Sequence, residues 1–314
     1  MRFRTEYIGD RGPFRLSSRK GIVTIGSCFA ENIVKRMQQS LWKADNPLGT
    51  LFNPLSIELL LNQALSASSE RNKFLETKIF QVQDVWHSWW FDTKFSSTDK
   101  QELLDKCLNA VDQLIKALSE ADALIITFGT SRCYWHKDQE IGIVANCHKM
   151  PSADFHCRRI SITEITEIWN SLIDRIHNQY PLLKIIFTVS PVRHVKDGFI
   201  ENTRSKATLI LGIEEIIKDR EYCDYFPAYE IMCDDLRDYR FYASDLVHPS
   251  QEGIEYIWEK FCERYLNPED VKRIKAGENI YMRMNHIPIV PDSRASVAFK
   301  AKTEELLKQF KAEE

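Results

Sequence analysis

No apolar run in this 314-residue chain approaches the ~18 residues that a membrane-spanning helix needs. The opening residues Met1-Arg2-Phe3-Arg4 carry charge and no apolar core, so they do not read as a secretory leader. Charge of one sign is lacking as well. Lys and Arg number 42 against 45 Asp and Glu, and the net charge of −3 comes with no long block of either sign. A dedicated nucleic-acid binder usually shows a basic excess, so that class is set aside. Glycine and proline number only 11 each, with no internal repeat and no low-complexity segment. The eight cysteines (Cys28, Cys107, Cys133, Cys147, Cys157, Cys223, Cys233, Cys262) are scattered, which reads as reduced thiols rather than a disulfide framework. These absences lead to the expectation of a cytoplasmic protein with no membrane or nucleic-acid partner, no cofactor and no metal.

What is present is the composition of an ordinary globular protein, 44% hydrophobic and 28% charged, with enough length for a full core. Apolar runs alternate with helical periodicity. The run Ile22-Val23-Thr24-Ile25 leads into a helix pattern over residues 30–39, and residues 54–65 read as a second helix. Residues 68–98 break the rhythm; they are polar, with an aromatic cluster at Trp86, Trp89, Trp90 and Phe91. Leu103, Leu104, Cys107, Leu108, Val111, Leu114, Ile115 and Leu118 recur at helical steps. Thr98 or Asp99 is placed to cap that helix, with Glu102 completing a capping box. Residues 123–128 and 184–189 read as buried strands, and residues 131–160 as an excursion with a hairpin. Helices are expected over 161–179, 203–218 and 250–265. The alternation predicts an α/β domain with a mostly parallel sheet and helices on both faces. The domain is placed at residues 1–266, with insertions at about 68–98 and 131–160. Residues 267–314 show no strand and are expected to form a helical or extended decoration.

Three predicted strands end in small or polar residues: Gly26-Ser27, Gly129-Thr130 and Ser190-Pro191. In a parallel sheet such ends share one edge, where ligands bind. Ser27 sits on a strand-to-helix turn, where backbone amides of the helix start can stabilise an oxyanion. Downstream, Asp245 and His248 stand three apart in Ser244-Asp245-Leu246-Val247-His248-Pro249, on a loop stiffened by proline. His248 is placed to deprotonate Ser27, with Asp245 orienting His248. The competing reading is that Asp-x-x-His occurs by chance and that Asp245 only caps a helix.

The pentapeptide Gly26-Ser27-Cys28-Phe29-Ala30 resembles the signature of the GSCFA family, a branch of the SGNH (GDSL-like) hydrolase superfamily. Further stretches are similar to that family: Asn46-Pro47-Leu48-Gly49-Thr50, Phe52-Asn53-Pro54-Leu55, Phe128-Gly129-Thr130, Asn146-Cys147-His148-Lys149, Ser190-Pro191-Val192-Arg193-His194 and Asp245-Leu246-Val247-His248-Pro249. The resemblance spans about residues 20–265. It implies a flavodoxin-like three-layer α/β/α fold and ester chemistry, with Ser27 as nucleophile and Asp245 and His248 as its partners. It further implies that Gly49 and Ser27 amides form an oxyanion hole. Where the superfamily carries an Asn donor, this chain reads Gly129-Thr130-Ser131-Arg132. Thr130, Arg132 or Asn146 is then the candidate substitute. The implied function is a serine esterase or acyltransferase acting on a small O-acyl ester, such as acetyl on a carbohydrate-like carrier. The alternative is a non-catalytic ligand-binding module on the same scaffold.

Other residues admit two readings each. Cys28, at a helix start, is either a reactive thiol or a small buried group. Cys147-His148 and His156-Cys157 offer four zinc-type ligands, but adjacent ligands point apart in an extended chain. Asn146 and His148 either line the site or belong to a plain loop. Arg193 and His194 follow a strand end and either bind a substrate group or anchor a loop. The tryptophans either stack on a sugar or acyl group or form a satellite core.

Overall fold

In a computed structural model, which describes residues 4–312, the alternating runs form one five-stranded sheet. Met1 to Phe3 of the expected domain, and Glu313 and Glu314 of the extension, lie outside the described residues. The first half of the chain runs β1 (Gly21–Gly26), α1 (Cys28–Gln39), β2 (Ala44–Asp45), α2 (Pro54–Ala64), α3 (Ser68–Glu76), β3 (Ile79–Val82), β4 (Val85–Ser88), α4 (Lys100–Glu120), β5 (Ala121–Phe128). It continues through β6 (Arg132–His136), β7 (Ile143–Val144), β8 (Phe155–Arg159), α5 (Ile162–Gln179), β9 (Lys184–Val189) and α6 (Phe199–Ile217). Last come β10 (Cys223–Phe226), the single turn α7 (Ala228–Glu230), a π-helical turn (Ile231–Leu236), α8 (Gln251–Tyr265), α9 (Pro268–Met284) and α10 (Arg294–Ala312).

The sheet order is β10-β9-β5-β1-β2, with every pair parallel. Counting only these strands along the chain gives 2-1-3-4-5, the doubly wound order of flavodoxin-like folds. Side chains alternate between the two faces because the strand period is two. Val23, Ile25, Leu124, Ile126, Ile185 and Phe187 pack with α2, α4, α5 and α6. Ile22, Ala123, Ile125 and Ile186 face the other way, among α1, α8 and α9. The expected three-layer α/β/α architecture is what the chain forms.

Local signals explain most element boundaries. Asp99 caps α4 by accepting the Glu102 N–H at 2.7 Å. The expected reciprocal bond is absent: the Asp99 N–H goes to Ser97 Oγ, and the Glu102 carboxylate binds Ser97 and Lys106. A full capping box instead starts α5, between Ser161 and Glu164. Helix α6 begins at Phe199, earlier than the periodicity suggests.

The two insertions hold regular structure. Residues 68–98 contain α3 and the antiparallel hairpin β3-β4, and residues 131–160 contain the three-stranded sheet β7-β6-β8. The tail is helical. Asp270 at the start of α9 accepts from both the N–H and hydroxyl of Ser18. Gly277 of α9 approaches α1 so closely that a Cβ there would meet Ser40 O at 1.9 Å. Among the described residues, no helix is long and apolar enough to cross a membrane.

Candidate active site

The carboxyl end of β1 turns sharply, and the turn requires glycine. Gly26 has φ +139°, and a Cβ on it would lie 2.1 Å from Thr127 O on β5. Ser27 follows as the cap of α1; its Oγ accepts the Phe29 N–H at 3.3 Å. It is only 1% exposed, so the path to its hydroxyl is narrow. The Ser27 N–H, expected in an oxyanion hole, donates to Thr127 O at 3.2 Å and continues the β1–β5 ladder.

Asp245 and His248 lie on a hairpin-like loop. The Ala243 N–H donates to His248 O and the Ser250 N–H to Phe241 O, each at 2.7 Å. Asp245 builds the turn: Oδ1 accepts the Val247 and His248 N–H groups at 2.9 and 3.0 Å. Its Oδ2 lies 2.7 Å from His248 Nδ1. Those amides first, and the His248 side chain after them, hold the Asp245 carboxyl down at about 2. Nδ1 and not Nε2 is therefore the ring nitrogen that faces the carboxylate. Among the described residues, no hydrogen bond joins His248 to Ser27.

Arg193 anchors this loop. Its guanidinium donates to Leu246 O, its N–H donates to Val247 O at 3.3 Å, and it lies over the rings of Tyr242 and Tyr239 at 4.4 and 5.2 Å. Of its two sequence readings, loop anchoring is the one its contacts support. His194 faces the other way, edge-on to Phe52 with centroids 6.1 Å apart. Burial, with Lys206 and His248 nearby, pushes its imidazole down to about 4, so it is neutral. Phe52 O in turn accepts the Gly129 and Thr130 N–H groups at 2.8 and 2.9 Å, and a Cβ on Gly129 would touch Ser27 Cβ at 3.4 Å. Contacts thus run from His194 through Phe52 and Gly129 to the Ser27 turn, with the His248 imidazole near enough to His194 to disfavour its charge.

The segment carrying Gly49 lies beside this turn, tied by the Leu51 N–H to Gly26 O at 2.8 Å. Gly49 has φ +69°, and its own N–H makes only a long contact, 3.4 Å, to Asn46 O. A cleft of about 580 Å³ opens next to it, lined in part by Glu31, Lys35, Gln38, Lys94 and Phe95.

The remaining candidates are engaged elsewhere. Thr130 Oγ1 lies 3.0 Å from Ser205 Oγ and accepts the Arg132 N–H. Arg132 pairs with Asp197 at 3.3 Å and Glu201 at 3.9 Å. Asn146 Oδ1 accepts the His148 N–H, and His148 Nε2 lies 2.7 Å from Ser88 O, among Phe80, His87 and Trp89. Asn146 and His148, in the 131–160 insertion, thus pack against the aromatic 68–98 insertion. Trp89, Trp90 and Phe91 are buried there, with Trp89 stacked on Phe80 at 3.6 Å. These three form a satellite core, while Trp86 is half-buried, with the Lys100 ammonium over its ring at 5.4 Å.

The family model of the GSCFA family matches residues 21–261, a span that includes Ser27, Gly49, Asp245 and His248. The chain belongs to the GSCFA family. No curated protein matches it.

Two further observations concern thiols and metals in this GSCFA domain. All eight cysteines are unpaired. Burial, and then the Glu31 carboxylate, push the Cys28 thiol up, away from the reactive thiolate. Among the described residues, no group of three or more His, Cys, Asp or Glu is arranged to hold a metal ion.

Sequence reading missed one buried residue that holds the strand ends near the Ser27 turn. Lys206 Nζ donates to Gly129 O at 2.6 Å and Ser190 O at 2.7 Å, at the carboxyl ends of β5 and β9. The signal was present: Lys206 occupies the buried stripe of α6 with Asn202, Ser205, Leu209, Ile213 and Ile216.

Proposed function

We propose that this GSCFA protein is a serine esterase or acyltransferase of the SGNH type, with Ser27, His248 and Asp245 as its triad. The observation that carries the reading is the Asp245–His248 pair, oriented through Nδ1 on an anchored loop. Such a pair prepares Nε2 as a general base. In the reaction, Ser27 Oγ attacks the ester carbonyl while His248 Nε2 takes its proton. The tetrahedral oxyanion collapses, His248 returns the proton to the departing alkoxide, and acyl-Ser27 remains. Water or an acceptor hydroxyl, deprotonated by His248, then releases the acyl group.

The depth of Ser27 favours a small acyl group such as acetyl. The cleft beside Gly49, with carboxylate, ammonium and amide side chains, suits a polar carrier. Its lining supports that carrier better than the buried tryptophans do.

Turnover of a short-chain aryl acetate, and its loss in Ser27→Ala, test the assignment. A second reading, a ligand-binding module, draws on the Ser27 amide and hydroxyl both being engaged within the protein. An intact protein that binds an acyl ester without turning it over or being acylated would support that reading instead.

A further inference from the structure

Lys206 is 1% exposed, and both of its hydrogen-bond acceptors are neutral carbonyls. A buried ammonium usually has a carboxylate partner. Among the described residues, the ionisable groups that face Lys206 come from four neighbouring elements, and none brings a negative charge at neutral pH. Cys28 of α1 and Cys233 of the π-helical turn have thiols pushed up, chiefly by burial. Tyr229 of α7, whose ring centroid lies 5.6 Å from Nζ, has its phenol pushed up as well. His194, after β9, is neutral. Burial lowers Lys206 itself to about 7, which leaves it largely charged under mildly acidic conditions.

We propose that Lys206 is the positioning residue of the Ser27 site: it fixes the Gly129 peptide against the nucleophile and supplies an uncancelled positive charge behind the oxyanion. The inference rests on the serine-acyl reading above. Gly129 is the link, since its carbonyl receives Nζ while a Cβ on its α-carbon would already lie in van der Waals contact, 3.4 Å, with Ser27 Cβ. In the ground state the ammonium has no anion to meet. An anion appears when Ser27 adds to a carbonyl, so the charge favours the transition state over the bound ester. In a water-poor interior that interaction is only weakly screened. This charge takes over part of the work of the side-chain amide donor that the chain lacks at Thr130 and Ser131.

The test compares wild type, Lys206→Met and Lys206→Arg on an aryl acetate between pH 5.5 and 9. Circular dichroism and thermal melting report the folded fraction. The wild-type profile should show a falling limb centred near 7, where Lys206 loses its proton. Lys206→Met should fold, lose about 10- to 100-fold in kcat with KM nearly unchanged, and lose the falling limb. Lys206→Arg should recover part of kcat and stay active at high pH, because guanidinium keeps its charge. A Lys206→Met enzyme with wild-type kcat and an intact falling limb overturns the proposal. If Lys206→Met fails to fold, a flat wild-type profile from pH 6 to 9 overturns it equally. Wild-type protein that neither turns over the ester nor is acylated at Ser27 removes the underlying reading, and the role of Lys206 with it.

Discussion

Asp245 holds His248 twice: Oδ1 accepts its backbone N–H at 3.0 Å, and Oδ2 lies 2.7 Å from its ring Nδ1. One carboxylate therefore sets both the loop and the imidazole. A short Asp-x-x-His spacing makes this possible, because the turn brings the side chain back onto the amides three residues on.

Asp245→Asn keeps an acceptor for the loop but presents a competing amide donor to Nδ1. The imidazole should then adopt the wrong tautomer. On the proposed mechanism, kcat falls by about 10³- to 10⁴-fold with little change in melting temperature. Steady-state kinetics with a parallel melt check this. Asp245 is held at about 2, so an acid limb of activity above pH 4 belongs to another group.

Arg193 grips the loop from β9 through Leu246 O and two tyrosine rings. Arg193→Met should leave the fold intact and free the loop. Small misplacements of a base are costly, and kcat should drop by about 100-fold. The rate of fluorophosphonate labelling at Ser27, compared with wild type, measures the effect.

Gly49 has left-handed backbone geometry, and a Cβ would lie 2.6 Å from Asp92 Oδ2. Asp92 also receives the Thr50 N–H at 2.9 Å and is not free to withdraw. Gly49→Ala should destabilise the protein by about 1–3 kcal/mol. Urea denaturation gives the value.

Glu164 closes the capping box of α5 and pairs with Arg158 at 2.6 Å. Arg158 first, then the Ser161 amide, lower its carboxyl from 4.5 to about 2. The folded pKa is depressed, so its stabilisation is present above pH 4.5 and lost as pH falls through 2. Glu164→Gln should melt below wild type at pH 7. The gap should narrow at pH 4 and close near pH 2.

The sheet was legible because each inner strand is buried on both faces and reads as an unbroken apolar run, as in Leu124-Ile125-Ile126 and Ile185-Ile186-Phe187. The Gly26-Ser27 turn and the Asp245–His248 pairing were legible as local geometry, because a glycine turn, a cap and a three-residue spacing set them out. The positions of the insertions, and a hairpin in 131–160, were legible, but most of their internal structure was not. Their short strands, such as Ile79–Val82 and Ile143–Val144, owe their order to aromatic packing contributed from distant segments. Which of the two readings of Asn146 and His148 their packing favours was not legible for the same reason, since a motif in sequence does not show which surface it folds against. Lys206 was missed because a lysine on a helix is normally solvent-facing, and only the stripe it shares with Leu209 and Ile213 marks it as buried.

The central claim is that Ser27 carries the acyl group. Wild-type protein is mixed with an activated acetate ester, quenched in acid within the first turnover, digested and read by mass spectrometry. The account predicts an acetyl group on the peptide containing Ser27, at Ser27 itself, and none in the Ser27→Ala protein. An acetyl group on Cys28, or undiminished turnover in Ser27→Ala, would contradict it.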